Sequence, residues 1–198
     1  KASVERAVKA GFDAIEIHGA HGYLIHQFHS NILNNREDEF GKNKTKFGCD
    51  IIKAAKSVMP EDMPLIIRIS ASEFAKGGYD ISYGVKLAEA YKNAGADIIH
   101  VSSGGEGPID EDKKPKIFAG YQVGFAKEIK DKVNVDVIAV GILEDPELAN
   151  YIIESNQADL VAVGRGMFKN PYWPIETALK LGMKTEIPKQ YERGIRFK

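Results

Sequence analysis

Ala94-Gly95-Ala96-Asp97-Ile98-Ile99-His100-Val101-Ser102 is one copy of a phrase that this chain repeats: a small turn, an aspartate, then a short β-branched run ending in glycine or small polar residues. Ala10-Gly11-Phe12-Asp13-Ala14-Ile15-Glu16-Ile17-His18 precedes it. Val135-Asp136-Val137-Ile138-Ala139-Val140-Gly141 and Ala158-Asp159-Leu160-Val161-Ala162-Val163-Gly164 follow, and Pro64-Leu65-Ile66-Ile67-Arg68-Ile69-Ser70 is a fifth run without the aspartate. Near-continuous apolar runs of this length are what strands buried on both faces require. Helical periodicity fills the gaps, over Phe47 to Val58, Ile81 to Asn93, Val123 to Lys132 and Pro146 to Ser155. Asp145-Pro146 supplies an N-cap followed by proline at the first helical position, and Asn93-Ala94-Gly95 supplies a helix stop.

Strand and helix in alternation specify a parallel sheet joined by right-handed crossovers. No Gly-x-Gly-x-x-Gly follows the first strand, and the unusual polar residues stand at the C-terminal ends of several different strands, so a barrel is expected in preference to an open doubly wound sheet. A closed barrel of this class needs eight strands, whereas five are visible. The expected fold is α/β: one domain over residues 1–198 forming a partial TIM (β/α)₈ barrel, strands 4 to 8, with about three N-terminal βα units missing. The opening residues agree. Val4, Ala7 and Val8 have helix spacing with no initiating Met in front, as in a chain cut from something longer.

Composition narrows the function classes. A 43% hydrophobic chain of 198 residues can bury one sizeable core. Its 27 Lys and Arg nearly cancel its 28 Asp and Glu, and both signs are dispersed, which argues against a nucleic-acid or membrane-surface footprint. The single Cys49 excludes an internal disulfide and any multi-cysteine metal or iron–sulfur site, so a reducing cytoplasm is the natural compartment. Nothing reads as a signal peptide or membrane span.

The first strand runs into His18-Gly-Ala-His21-Gly-Tyr23-Leu-Ile-His26-Gln-Phe-His29. At a strand end on the active face of a barrel, His18 and His21 can aim two imidazole N–H donors at one substrate oxygen, with the Tyr23 hydroxyl nearby as an acid. A zinc site is disfavoured, because no cysteine flanks the run and the spacing lacks the helical His-x-x-x-His pair, so no metal is assigned. His26 and His29 read as ordinary polar turn residues.

Arg68 interrupts an apolar run and shares a strand face with Ile66 and Ser70. A guanidinium in that position needs an anion, either a ligand in the barrel mouth or an internal partner such as Glu16. The last two strands end in Val140-Gly141-Ile142 and Val163-Gly164-Arg165-Gly166. Glycine N–H groups and a basic side chain after the final strands of a barrel are suited to a phosphate. The alternative, glycines needed only for tight turns, leaves Arg165 unexplained. Ser102-Ser103-Gly104-Gly105-Glu106-Gly107 matches no phosphate-loop spacing and reads as backbone lining the pocket. No lysine ends a strand, which counts against a Schiff-base aldolase.

These residues together resemble the NADH:flavin oxidoreductase, or Old Yellow Enzyme, family. The resemblance rests on Glu16-Ile-His18-Gly-Ala-His21-Gly-Tyr23-Leu-Ile-His26-Gln-Phe28, on Arg68-Ile-Ser-Ala, and on Val140-Gly141 with Val163-Gly164-Arg165. It implies an ene-reductase that uses FMN, with NAD(P)H as co-substrate, to reduce the C=C bond of α,β-unsaturated carbonyl or nitro compounds. His18 and His21 would then bind the substrate oxygen and Tyr23 would protonate carbon. Arg68 would contact the N1 and O2 edge of the flavin, while Gly141, Gly164 and Arg165 would hold its phosphate. The tail Gln190-Tyr191-Glu192-Arg193-Gly194 is similar to that of the bacterial thermophilic-like branch, which implies a homo-oligomer in which Arg193 reaches a neighbouring subunit's substrate site. The rival readings are another flavin barrel, such as a tRNA dihydrouridine synthase, and a phosphate-binding barrel isomerase or aldolase without flavin.

Three departures from the family pattern stand out. Asp38 to Phe47 is shorter than the usual segment and lacks its Gly-Ser-x-Glu-Asn-Arg, so it is expected to pack differently or move. His29 and Asn31 stand where the family usually has Leu and Pro. The family's N-terminal part, which supplies one side of the flavin pocket, has no counterpart in these residues.

Overall fold

A computed structural model describes residues 1–194. The elements run α1 (Ala2–Lys9), β1 (Ile15–Gly19), α2 (Leu24–His29), α3 (Glu39–Lys42), α4 (Lys46–Lys56), β2 (Leu65–Ser70), α5 (Ile81–Ala94) and β3 (Ile98–Ser102). A short 3₁₀ turn at Glu111–Lys113 follows, then α6 (Val123–Val133), β4 (Asp136–Val140), α7 (Pro146–Glu154), β5 (Leu160–Ala162), α8 (Arg165–Lys169) and α9 (Trp173–Lys180). All five predicted strands form, and the four longer helices lie within two residues of their expected bounds. Local chemistry explains the limits. Asp145 Oδ1 accepts the Leu148 N–H at 2.8 Å to start α7, and Gly95 ends α5 with φ 114°, a conformation open to glycine.

The strands pair in the order β1-β2-β3-β4-β5, every neighbour parallel. Sequential parallel strands with right-handed crossovers place the connecting helices on one side of the sheet, and burial follows that rule. On the helix side Leu65, Ile67, Ile69, Ile99, Val101, Val137 and Ala139 are completely buried. They share one core with Ile52 of α4, Leu87 and Tyr91 of α5, and Ala126 and Ile129 of α6.

Residues of opposite parity form the other face. Register pairs His18 with Arg68, Arg68 with His100, and His100 with Ile138, so one row across the sheet carries three polar side chains on a face without helices. Leu160 at its far end is 51% exposed. Among the described residues, β1 and β5 each have a strand neighbour on one side only.

Two of the four aspartates of the repeated phrase, Asp97 and Asp159, serve the opposite end of the strands. Asp97 Oδ2 accepts the Leu65 N–H at the start of β2 and the Lys56 ammonium, both at 2.7 Å. Asp159 repeats the arrangement one layer on, accepting the Val137 N–H at 2.9 Å and the Lys130 ammonium at 2.8 Å. Each bonds the first N–H groups of a neighbouring strand, so this part of the repeat is structural.

The segment Asp38 to Phe47 is packed. Asp38 caps α3 by accepting from Phe40 and Gly41, and Phe47 stacks on Phe28 with ring centroids 3.8 Å apart. No helix among the described residues is long and apolar enough to cross a membrane.

Candidate functional site

Five strands deliver their C-terminal ends to one edge of the sheet, and a cleft of about 480 Å³ opens there over β2 to β5. It is lined by His21, Arg68, Ser102, Gln122, Gly141, Gly164 and Arg165, together with Glu144 and Lys169 at the rim. His18 and Tyr23 stand beside it, each with its ring centroid 5.2 Å from a neighbour in the cluster, His18 to His21 and His18 to Tyr23. Tyr23 is 63% exposed. The structure thus gathers residues separated by almost 150 positions in the chain. Arg193 is not among the cleft residues; it lies in an exposed turn at 191–194.

The histidine turn is held by its backbone. His21 has φ 59°, the left-handed region, and its N–H donates to Ser70 Oγ at 3.1 Å. Its Nε2 lies 2.8 Å from Ser102 Oγ. Ser102 Oγ also lies 3.5 Å from Gln122 Oε1, which accepts the Ser103 hydroxyl. Burial, then the charges of Arg68 and His18, push the His21 pKa down to about 4. His18 is also lowered, by burial and then by Arg68. Both shifts favour the neutral imidazole over the imidazolium.

Arg68 forms no ion pair among the described residues, and its Nε is buried without a hydrogen-bond partner. The internal partner envisaged from sequence, Glu16, is engaged elsewhere: its Oε2 lies 2.7 Å from His100 Nδ1. Burial pulls the Glu16 carboxyl upward, but the hydrogen bond and charge of His100, followed by Arg68, outweigh it and leave the pKa below the ordinary value. Arg68 lines the cleft, and leaving its buried Nε without an acceptor is a costly arrangement. No group of three or more His, Cys, Asp or Glu among the described residues could hold a metal ion.

The far wall is built from the ends of β4 and β5. Gly141 has φ 131°, and Ile142 follows at φ 54°, an uncommon and strained state for a β-branched residue. A Cβ at Gly141 would come within 2.9 Å of Gln122 Nε2, so glycine is needed for both conformation and space. Gly164 leads directly into Arg165 at the start of α8. Lys169 pairs with Glu144 at 3.0 Å, and the Trp173 indole donates to Glu144 O at 2.7 Å, which ties α8 and α9 to the rim. Backbone amides and the free-ended Arg165 around one corner suit an anionic group.

Sequence reading missed several contributors. Ser102 and Ser103 line the cleft with their side chains, where only backbone was expected. Ser102 shares a strand face with His100 at the register position of Ser70, and that alternation was the available signal. Gln122, 3% exposed, bridges Ser103 to Val140 O at 2.9 Å; as an isolated polar residue at a helix start it carries no signal in sequence. The reading of His26 and His29 as turn residues is corrected: both are fully buried. They occupy α2 and bond to Glu73, Tyr79 and Tyr91, because α2 packs under the loop after β2.

A parallel sheet whose strand ends gather two imidazoles, an arginine without an ion pair among the described residues and a glycine–arginine corner defines an α/β protein with a polar cleft at its C-terminal edge. Residues 1–184 match the NADH:flavin oxidoreductase / NADH oxidase family. The chain is 41% identical over 199 residues to an NADPH dehydrogenase of Clostridium acetobutylicum, covering 98% of this chain and 57% of that protein. It is 43% identical over 195 residues to the NADPH dehydrogenase of Geobacillus thermodenitrificans, covering 97% and 56%. Among solved structures, morphinone reductase superposes with TM-score 0.68 at 25% identity, over 94% of this chain and 48% of that one. A 2-naphthoyl-CoA reductase complex superposes with TM-score 0.79 at 20% identity, over 91% and 28%, a likeness of fold. The chain therefore belongs to the NADH:flavin oxidoreductase / NADH oxidase family, and it spans a little over half the length of these curated relatives.

Proposed function

We propose that residues 1–198 form one domain, the C-terminal five βα units of a flavin-binding (β/α)₈ barrel, and that the complete barrel is an FMN-dependent ene-reductase using NAD(P)H. The observation that carries this reading is the single cleft in which Arg68, with its buried unpartnered Nε, faces the same space as Gly141, Gly164 and Arg165. That pattern fits a ligand with a polar ring edge at one end and a phosphate at the other. The family membership and the NADPH dehydrogenase relatives support it.

Bound FMN would supply hydride transfer, from NAD(P)H to the C=C bond of an α,β-unsaturated carbonyl or nitro compound. The roles of this chain's residues follow from position and charge. Arg68 offers a fixed positive charge in the middle of the polar row, toward the ring edge. The amides at Gly141 and Gly164 and the Arg165 guanidinium hold the phosphate. His18 and His21, neutral and adjacent, direct N–H groups at the substrate oxygen and polarise it, which makes the β-carbon electrophilic. Tyr23, beside His18, delivers the proton that completes addition. The open edges of β1 and β5 and the helix-free face are the surfaces against which the remaining units of the barrel pack. The assembled protein is a homo-oligomer in which Arg193 serves a neighbouring subunit's site. Native mass tests that last statement.

The decisive experiment measures flavin content and FMN affinity of the complete barrel and of its Arg165→Ala variant. Loss of one charge-assisted bond to phosphate weakens FMN by about 2 kcal/mol. A colourless protein, or an unchanged affinity in the variant, overturns the assignment.

A further inference from the structure

Tyr79 stands at a crossing of hydrogen bonds beneath the histidine turn. Its hydroxyl is 2.9 Å from Ser70 O and 3.2 Å from His29 Nε2. A carbonyl oxygen only accepts, so the single phenolic proton goes to Ser70, and Tyr79 Oη accepts from His29, which must carry its proton on Nε2. The His29 ring is fully buried, and burial, then the neighbouring His26, holds its pKa well below the ordinary value. Nδ1 is therefore a bare acceptor, and Tyr91 Oη, 2.9 Å away, donates to it. Gly48 of α4 leaves the space that the Tyr91 phenol occupies, since a Cβ there would collide with the ring.

The chain ends at the Ser70 carbonyl, and the hydroxyl of the same residue holds the histidine turn. Its Oγ lies 2.5 Å from Gly104 O and donates there. The same oxygen is then free to accept the His21 N–H at 3.1 Å. The protons thus run one way, from Tyr91 to His29 to Tyr79 to the Ser70 carbonyl, and the Ser70 hydroxyl separately receives the N–H of the one residue in the turn that adopts a left-handed conformation without being glycine. A histidine supports such a chain because it can donate on one side and accept on the other.

We propose that His29 and Tyr79 are positioning residues: their hydrogen-bond chain holds the main chain of Ser70 through its carbonyl, and the Ser70 hydroxyl holds the turn that aims the His21 ring into the cleft. This rests on the reading of His18 and His21 as an oxygen-binding pair. Neither residue touches substrate, so their effect is on ligand geometry and not on flavin retention.

The test titrates phenol into the flavin-loaded protein and follows flavin absorbance, alongside ¹⁵N NMR of the histidine rings. Tyr79→Phe and His29→Leu each weaken phenol binding about five- to tenfold, the scale of one hydrogen bond misaligned, with FMN affinity unchanged. His29→Gln returns phenol affinity to within about twofold, because an amide can still donate to Tyr79 and accept from Tyr91. In the unaltered protein His29 appears as the neutral Nε2–H tautomer, a measurement that stands even if the leucine or phenylalanine variant does not fold. Phenol that binds the unaltered protein and the Tyr79→Phe and His29→Leu variants equally well, or a His29 proton found on Nδ1, overturns the positioning chain. Failure of phenol to bind the unaltered flavin-loaded protein overturns the oxygen-binding pair itself.

Discussion

His18 and His21 close β1, while His26 and His29 follow within one turn of helix, so four imidazoles arise from a twelve-residue run. The first pair sits beside the cleft, and the second is fully buried. His29 has both ring nitrogens bonded, to Tyr91 and Tyr79, and His26 bonds Glu73 through Nε2 at 2.9 Å. His21 keeps a second ring nitrogen, Nδ1, for whatever enters the cleft, since Ser102 addresses only its Nε2. The difference teaches that a histidine's task is set by which of its two nitrogens the fold has already satisfied.

The largest effect that separates the pairs concerns the ligand. Removing both cleft imidazoles in His18→Ala/His21→Ala deletes two N–H donors to an oxygen that carries partial negative charge, each worth about 1.5–3 kcal/mol. Phenol or enone affinity should fall by at least about a hundredfold while the protein remains yellow. Loss of flavin in this variant, seen in its absorption spectrum, would transfer the pair's role from substrate to cofactor.

A second effect concerns stability, and here the buried pair dominates. Glu73 is 3% exposed and accepts from His26 and, at 2.9 Å, from the Tyr79 N–H. Burial raises its carboxyl pKa, yet bonds from His26, Ser30 and Tyr79 outweigh this and lower it. Glu73→Ala strands those donors and should cost about 3 kcal/mol in urea unfolding. His18→Ala, at an exposed position, should stay within about 0.5 kcal/mol of the parent. Equal losses in the two variants would erase the distinction between them.

The smallest effect is a dependence on pH. His29 is held neutral in the folded protein, well below the ordinary histidine value, by burial and then His26, with only the neutral phenols of Tyr79 and Tyr91 bonded to its ring. Below about pH 6.5 the unfolded chain therefore binds a proton that the native state refuses, and stability falls as pH drops. His29→Gln should flatten this fall between about pH 6.5 and 5 by up to about 1.4 kcal/mol per pH unit, one proton's worth. An unaltered slope in urea midpoints measured across that range would mean that the native ring is already protonated.

Much of the fold was legible because its signals are local. Uninterrupted apolar runs mark strands with both faces covered, and Asp145 with Pro146, or Gly95 after Ala94, mark helix ends by backbone chemistry confined to a few residues. The site was legible where a residue type conflicts with its local setting. Arg68 inside Leu65 to Ile69 and Arg165 after Gly164 are conspicuous in one dimension, and both line the cleft. Gln122, Glu144 and Lys169 conflict with nothing nearby, and only the approach of separate strand ends gives them a place.

From the order of residues alone came the alternation of strand and helix, the parallel sheet, and the histidines, arginines and glycines at strand ends, since each depends on short-range periodicity or on a residue out of keeping with its neighbours. Tertiary structure decided the partners. It gave Glu16 to His100 and left Arg68 open, sent His29 into the core and set the direction of its protons, and joined Ser70 to His21 across 49 positions. Burial and hydrogen-bond pairing depend on which distant segments share a volume, and that is settled only when the strands have taken their order in the sheet.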